Sequence, residues 1–184
     1  GLFNKCYANF AMAGNGGANG DCDIDGIDGG TSGFVRQTFN ANELPTDEAI
    51  CGWGDDGIAG FCYNSYNATN PMLTGLYARI TTGIAYCNQY LAEAGDQDAT
   101  KLAEIRFLRA YEYFSLMDAW GNIPFTLQPL TKPERYTRAQ TYEWLEKELL
   151  EIEPSLSEAK AKKSTDEGYG RVDKAACWLL LSRL

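Results

Sequence analysis

The sequence contains no histidine. Within this chain, that absence excludes catalytic triads or dyads with an imidazole base and every metal site with an imidazole ligand. Acid–base chemistry would have to use carboxylate, lysine or tyrosine side chains. Acidic residues are too numerous for any two to be singled out as the carboxylate pair of a glycoside hydrolase. We therefore expect a protein that is not an enzyme, with a glycosidase as an alternative.

Positive charge and long apolar runs are also scarce. The 16 lysine and arginine residues are outnumbered by 25 aspartate and glutamate residues, so the formal net charge is −9. Such a surface argues against nucleic acid and against adsorption to an anionic membrane. No apolar run approaches the roughly 20 residues needed to span a bilayer. The chain lacks an initiator methionine, and both ends fall within helical patterns, so we expect a truncated protein.

The six cysteines show no C-x-x-C spacing, which argues against a zinc site or a redox motif. Three of them lie in apolar helical stretches, where a thiol behaves as a small hydrophobic group; these are Cys6, Cys87 and Cys177. The other three lie in predicted loops and could pair in an oxidising compartment; these are Cys22, Cys51 and Cys62. We expect no cofactor and no metal.

Apolar periodicity divides the chain into two parts. Residues 1–69 are predicted to hold one helix, up to about residue 13, followed by loops at 14–33 and 51–67. The stretch between these loops, 38–49, reads as irregular, with a short helical turn at 46–48. Residues 70–184 contain helical periodicity with clear start and stop signals; the predicted helices cover residues 70–95, 98–121, 137–153 and 173–184. No strand pattern appears. The prediction is a mainly α fold of tetratricopeptide-like helical hairpins with long irregular loops.

A possible calcium loop begins at Asp21. Residues 21–26 match the D-x-D-x-D-G opening of an EF-hand, but the twelfth position is Ser32 instead of the bidentate glutamate. A structural loop is the better interpretation.

Aromatic and polar residues that suit sugar recognition are concentrated in the loops; they are Asp28, Arg36, Trp53, Asp55, Asp56, Tyr63 and Tyr66. Trp53 lies between Gly52 and Gly54, which leaves its ring faces uncrowded in sequence. The alternative is that Trp53 is a buried anchor for its loop, and the residues alone favour this alternative because large aromatics are mostly buried.

Residues 104–114 read EIRFLRAYEYF, and residues 121–125 read GNIPF. These two segments resemble the E-x-R-F-L-R-A-x-x-Y-F and G-x-[IV]-P-[FL] motifs of the SusD/RagB family of nutrient-binding outer-membrane lipoproteins. Residues 170–176, GRVDKAA, are similar to the family's entry to the next helix, and residues 46–55 are similar to the early loops of its starch-binding branch. The similarity extends over essentially the whole chain.

The resemblance implies a SusD-like fold, with residues 1–184 as the N-terminal part of a single SusD-like domain, and capture of oligosaccharides without chemistry. It implies a lipid anchor outside this fragment, on the extracellular face of the outer membrane, beside a SusC-like TonB-dependent transporter as partner. In the starch-binding branch the ligand lies on an aromatic arc with polar contacts. Those positions look like Asp28, Arg36, Trp53 and Asp56 here. With the family considered, Trp53 is favoured as a sugar platform.

Two positions depart from the family pattern. Asp56 replaces an asparagine, and an ionised carboxylate accepts hydrogen bonds but cannot donate them. Cys51 stands where a second tryptophan is expected. The predicted function is therefore binding of a starch-like or malto-oligosaccharide-like glycan at the cell surface, for delivery to the transporter. The alternatives are a scaffold that caps the transporter without a ligand of its own, and a protein that binds a non-starch nutrient.

Overall fold

The computed structural model describes residues 1–14, 22–95 and 98–184 and is mainly helical, as the sequence predicts. The helices are α1 (Leu2–Ala11), α2 (Gly29–Ser32), α3 (Phe34–Glu43), α4 (Ile58–Cys62), α5 (Pro71–Glu93), α6 (Ala99–Trp120), α7 (Arg138–Ile152) and α8 (Lys174–Arg183). Two short strands are β1 (Ile123–Phe125) and β2 (Glu134–Tyr136), and a 3₁₀ helix, Glu153–Ser155, follows α7. No helix among these residues is both long enough and apolar enough to cross a membrane.

The chain forms two compact units, which we call the hairpin unit and the loop unit. The hairpin unit consists of Gly1–Cys6 and Ile84–Leu184, and the loop unit consists of Tyr7–Gly83.

The start and stop signals in the hairpin unit act as predicted. The Asp98 carboxylate accepts a hydrogen bond from the backbone N–H of Thr100 at 2.8 Å and caps α6. Gly121 ends α6 with a φ of 72°, a conformation that favours glycine. Thr137 and Gln140 form both hydrogen bonds of a capping box at the start of α7. These signals depend on residues close in sequence, so the sequence is sufficient to predict them.

Helices α6 and α7 form an antiparallel hairpin. Arg106 donates to the Glu148 carboxylate at 2.8 Å and 2.6 Å, and farther along α6 the Tyr113 ring meets Trp144, with 5.4 Å between ring centroids. Later residues of α6 therefore meet earlier residues of α7. Burial alone would raise the pKa of the Glu148 carboxyl, but the hydrogen bond from Arg106 and the charges of Arg106 and Arg109 hold that pKa below its ordinary value. The predicted helical hairpin is confirmed.

Two of the family-like sequence segments meet through an ion pair. Arg171, from the segment 170–176, donates two hydrogen bonds to the Glu104 carboxylate, at 2.8 Å from Nε and 2.6 Å from Nη2. Glu104 is buried on α6, so its charge needs such a partner. The bidentate pair therefore ties the start of α6 to the segment that precedes α8.

The two strands correct the prediction that no strand is present. β1 and β2 pair antiparallel, with Ile123 opposite Tyr136 and Phe125 opposite Glu134. Each strand has only three residues, too few to show a period of two in the sequence. The Phe125 ring stacks on Tyr136, with 4.0 Å between centroids, and meets Trp144 edge-on at 4.9 Å. Packing between residues distant in sequence therefore holds this hairpin.

Three helices of the loop unit correct the predicted loops. α2 lies in the predicted loop 14–33, α4 lies in the predicted loop 51–67, and α3 covers the first half of the stretch read as irregular. The buried face of α3 carries the polar residues Gln37 and Asn40, and Asn40 Nδ2 donates to Gln37 Oε1 at 3.0 Å. Because polar residues occupy these positions on the buried face, apolar residues do not recur along it at helical spacing. The hydrogen bond between the two side chains helps to satisfy their polar groups inside the fold. The other two helices are too short for any periodicity.

Candidate functional site

Helix α5 supports the short helix α2 through two residues spaced four apart. At Gly75, a Cβ atom would lie 1.8 Å from the carbonyl oxygen of Thr31, so only glycine allows this approach. One turn later, Arg79 is fully buried and donates from Nε to the carbonyl of Ser32 at 2.8 Å. Residues four apart share one helix face, so both contacts fix α2 against the same side of α5.

Arg79 also holds the segments that precede α2. Its Nη2 contacts the Asp23 carboxylate at 2.7 Å and the carbonyl of Ala13 at 3.2 Å, and its Nη1 donates to Asn9 Oδ1 at 3.2 Å. A buried guanidinium requires such partners, because an uncompensated charge inside a protein is costly. The Asp23 carboxylate is thus paired with Arg79, whereas in an EF-hand it would bind a calcium ion.

Asp21, the first residue of the possible calcium loop, lies outside the described residues. In the part of the chain that the structure describes, no three Cys, Asp or Glu side chains are grouped so that they could hold a metal ion.

Two of the four predicted site residues meet at Gly30. The Asp28 carboxylate accepts a hydrogen bond from the Gly30 N–H at 2.8 Å and caps α2. Arg36 Nη1 donates to the Gly30 carbonyl at 2.7 Å, and Gln37 Nε2 donates to the same oxygen at 3.0 Å. A Cβ atom on Gly30 would lie 2.9 Å from the Asp28 carboxylate and 3.1 Å from Arg36 Nη1, so a side chain there would require these two groups to shift.

Arg36 and Trp53 form a stack. The guanidinium carbon of Arg36 lies 5.1 Å from the centroid of the Trp53 ring, within the range of a cation–π contact. Trp53 nevertheless keeps 67% of its surface exposed, so it is not the buried anchor that the residues alone favour. Arg36 Nη2 also makes an ion pair with Asp55. The carbonyl of Gly30, the Asp55 carboxylate and the Trp53 ring thus hold the guanidinium from three directions.

The loop that carries Trp53 is attached to the core on its N-terminal side. Ala49 and Cys51 pack against an apolar cluster formed by Leu44, Ile58, Phe61 and Met72. Cys51, at the position where the family pattern has a second tryptophan, therefore anchors the loop instead of presenting a ring. Beyond it, Gly52 and Gly54 have nothing within 4 Å of where a Cβ atom would be, and they leave the Trp53 ring uncovered by its neighbours in sequence.

The residues of the segment 55–57 are arranged differently from the family pattern. Arg36 pairs with Asp55, while the fourth predicted residue, Asp56, has an exposed side chain. Gly57 follows with a φ of 91°, and α4 begins at the next residue. The sequence offered Asp55 only as one of two adjacent aspartates, and no local signal tells which of the two faces Arg36.

The two candidate tyrosines, Tyr63 and Tyr66, follow the end of α4. Tyr66 packs against Phe61, with 5.3 Å between ring centroids, and still exposes part of its ring. Tyr63 is exposed immediately after α4.

The assembled surface pairs an open aromatic face with a fixed guanidinium and a carboxylate. We call Arg36, Trp53 and Asp55 the Trp53 platform. A guanidinium has five N–H groups, and the contacts with Gly30 and Asp55 engage one on each terminal nitrogen. Each terminal nitrogen thus retains a second N–H that can donate a hydrogen bond to a hydroxyl oxygen of a ligand. The Asp55 carboxylate can accept hydrogen bonds from hydroxyl groups. Such a surface suits a neutral polyhydroxylated ligand.

Comparison with known proteins identifies the family. Residues 40–184 match the family described as "Starch-binding associating with outer membrane". The starch-binding protein SusD of Bacteroides thetaiotaomicron is 37% identical over 190 aligned residues, which cover all of this chain and 34% of SusD.

Solved structures of two further Bacteroides proteins share the fold. Surface glycan-binding protein A from Bacteroides thetaiotaomicron, solved in complex with laminarihexaose, is 19% identical with a TM-score of 0.68, covering 98% of this chain and 36% of that protein. A SusD superfamily protein from Bacteroides vulgatus is 14% identical with a TM-score of 0.73, covering 99% and 37%. The chain spans about a third of the length of the relatives that it matches. The family match and the identity to SusD establish that the chain belongs to the SusD-like family of starch-binding proteins associated with the outer membrane.

Proposed function

We propose that this chain forms one wall of a glycan-binding site in a cell-surface protein, and that the Trp53 platform contacts the sugar. The protein binds without catalysing a reaction. It delivers its ligand to a SusC-like TonB-dependent transporter and is held at the extracellular face of the outer membrane by a lipid anchor outside these residues.

The exposed and fixed Trp53 ring is the observation that carries the proposal. An aromatic ring offers an apolar face to the C–H side of a pyranose, and a large ring exposed on a soluble surface marks a contact site when polar groups surround it. Arg36 lies over one face of the ring and fixes its orientation before the ligand arrives. A preformed surface binds more tightly because less side-chain freedom is lost on binding.

The polar members of the site divide into two roles. Asp28 caps α2 and holds Gly30, so it acts through Arg36 and does not need to touch the ligand. Arg36, Asp55 and the exposed Asp56 supply hydrogen-bonding groups beside the ring. Asp55 is not among the residues that the family pattern picks out, and we include it because of its ion pair with Arg36.

A starch-like α-glucan is the ligand we propose. The support is the name of the relative that is 37% identical over the whole chain, a starch-binding protein. The fold neighbour in complex with laminarihexaose is only 19% identical, so it supports the fold alone.

The test is titration calorimetry of the full-length protein with maltoheptaose, with laminarihexaose and a polysaccharide panel in parallel. We expect maltoheptaose to bind, and Trp53→Ala to weaken binding by about tenfold or more, the loss that marks a principal aromatic contact. Trp178→Ala is the matched control, because Trp178 is another exposed tryptophan but lies on α8 in the hairpin unit.

Four outcomes would overturn parts of the proposal. If calorimetry detects no binding of any glycan and the transporter co-purifies with the protein, the function is that of a scaffold. Binding of laminarihexaose but not maltoheptaose would show that the ligand is not the proposed α-glucan. Equal affinity in the Trp53→Ala variant and in the wild type would move the site elsewhere, and release of reducing ends from maltoheptaose would establish hydrolysis.

A further inference from the structure

Two buried cysteines face each other across the contact between α1 and α5. Cys6 on α1 and Cys87 on α5 are each 1% exposed, and the Cys6 side chain raises the pKa of the Cys87 thiol. In sequence they are 81 positions apart, and both lie in apolar helical stretches that suggest only core packing.

Neighbouring contacts show that the pair is part of a continuous helix contact. The ring centroids of Phe3 and Tyr90 are 5.7 Å apart, and Lys5 Nζ lies 4.4 Å from the centroid of the Tyr86 ring. As residue numbers rise along α1 the partners fall along α5, so the two helices run antiparallel here. Cys6 and Cys87 share the register of Phe3 and Tyr90, three positions farther along α1 and three positions back along α5.

The other four cysteines have different surroundings. Cys22 lies beside the Ser32 hydroxyl and the Arg79 guanidinium, and the Cys177 thiol donates to the carbonyl of Leu149. Cys51 and Cys62 both pack against the apolar cluster beneath the Trp53 loop. All six are free thiols in this structure.

We propose that Cys6 and Cys87 are joined by a disulfide bond when the protein matures in an oxidising compartment. One thiolate attacks a disulfide oxidant to form a mixed disulfide, and the second thiolate then displaces the oxidant's thiol from it. The two cysteines lose two protons and two electrons, and the oxidant's disulfide takes up the electrons and becomes two thiols. Proteins at a cell surface are outside the reach of cytosolic reductants, and this family associates with the outer membrane.

The order of events follows from the burial of the pair. The hydrogen bond with Cys6 and burial raise the pKa of the Cys87 thiol well above its ordinary value, so few thiolates are present once the helices have packed. The bond therefore forms during folding, while the thiols are still accessible, and afterwards is shielded from reductants.

The crosslink closes a long covalent loop. Every residue of the loop unit, Tyr7–Gly83, lies between the two cysteines, including Arg36 and Trp53. Closing a loop of this length removes conformational freedom mainly from the unfolded chain, so the oxidised protein resists unfolding more than the reduced one.

The experiment uses the full-length protein, unfolded under reducing conditions and refolded in a buffer of reduced and oxidised glutathione. Alkylation of the remaining thiols, proteolysis and mass spectrometry then identify the linked peptides. We expect a linked pair containing Cys6 and Cys87, and an unfolding temperature at least about 5 °C above that of the reduced protein. Cys6→Ala and Cys87→Ala should each abolish the difference between oxidised and reduced protein.

Cys177→Ala is the matched control, because it removes a buried thiol that has a carbonyl partner. It should keep both the linked peptides and the oxidation-dependent rise. Alkylation of both Cys6 and Cys87 after oxidative refolding would overturn the proposal, as would a crosslink between other cysteines such as Cys51 and Cys62. The peptide map of the wild type decides this even if a variant fails to fold.

Discussion

Replacing Gly75 by alanine tests the support that α5 gives to the candidate site. A Cβ atom at this position would lie 1.8 Å from the Thr31 oxygen and 2.6 Å from its carbonyl carbon. Contacts below 3.0 Å do not persist, so the backbone of α2 would have to move by more than about 1 Å. A backbone group cannot rotate away as a flexible side chain can. The substitution must therefore displace α2 or bend α5.

Two opposing effects set the expected magnitude. Alanine favours an α-helix over glycine by about 1 kcal/mol, which would stabilise α5. Overpacking costs about 1–3 kcal/mol, and displacement of α2 weakens the 2.8 Å hydrogen bond from Arg79 to Ser32, worth about 1.5–3 kcal/mol for a charged donor. We expect a net loss of about 2 kcal/mol in the free energy of unfolding.

The assay combines stability and binding in the full-length protein. Urea unfolding should show the loss of stability, and calorimetry should show weaker glycan binding, because Gly30 on the displaced α2 anchors Arg36. Ala85→Gly at an exposed position of the same helix is the control for helix propensity, with a loss of about 1 kcal/mol and unchanged glycan binding. Stabilisation by Gly75→Ala would refute the reasoning, since it would mean that propensity outweighs the clash.

Three further predictions concern stability, each measured by chemical unfolding of the full-length protein. Because the pKa of Glu148 is lowered in the folded state, its contribution to the free energy of unfolding is present above the ordinary glutamate pKa and is lost as pH falls below about 4. Glu148→Gln should therefore reduce the loss of stability at acid pH. An unchanged acid dependence in this variant would contradict the ion pair. Burial raises the pKa of Tyr113 to about 12, so the contribution of this residue to the free energy of unfolding is complete below pH 10 and falls by about 2–3 kcal/mol between about pH 10 and 12. The Tyr113→Phe variant has no titrating group at this position and should not show this loss. Asn70→Ala should cost about 2 kcal/mol, because Asn70 caps α5 through the Met72 N–H and donates to the Gly57 carbonyl, whereas Asn70→Asp should keep the cap and lose less.

Local signals were sufficient for the hairpin unit and insufficient for the loop unit. The capping box at Thr137 and the glycine stop at Gly121 depend on residues within one helical turn, and both occur where the sequence predicts them. Helix α3 was read as irregular because the polar residues Gln37 and Asn40 lie on its buried face, where the hydrogen bond between them and the bond from Gln37 to the Gly30 carbonyl satisfy their polar groups. Polar residues on a buried face remove the periodicity on which sequence interpretation depends.

The candidate site shows the same division. Trp53, Arg36 and Asp28 were chosen from their spacing and family resemblance, and the structure brings Trp53 to Arg36 and both Asp28 and Arg36 to Gly30. The choice between Asp55 and Asp56 depends on the direction in which each side chain leaves a turn, and the structure gives the contact with Arg36 to Asp55. That all four predicted residues contact a ligand stays a prediction.

The sequence by itself determined the family, the mainly helical fold, the positions of the long helices and the absence of an imidazole. These properties depend on residue identities and on spacings within a few turns. Only the tertiary structure decided that Trp53 is exposed and stacked on Arg36, that Arg79 and Gly75 support α2, that Glu104 pairs with Arg171, and that Cys6 meets Cys87. Each of these contacts joins residues 17 to 81 positions apart, and no local rule connects them. Such pairs are chosen by the packing of whole helices, in which burial of apolar surface and the pairing of buried charges must be satisfied together.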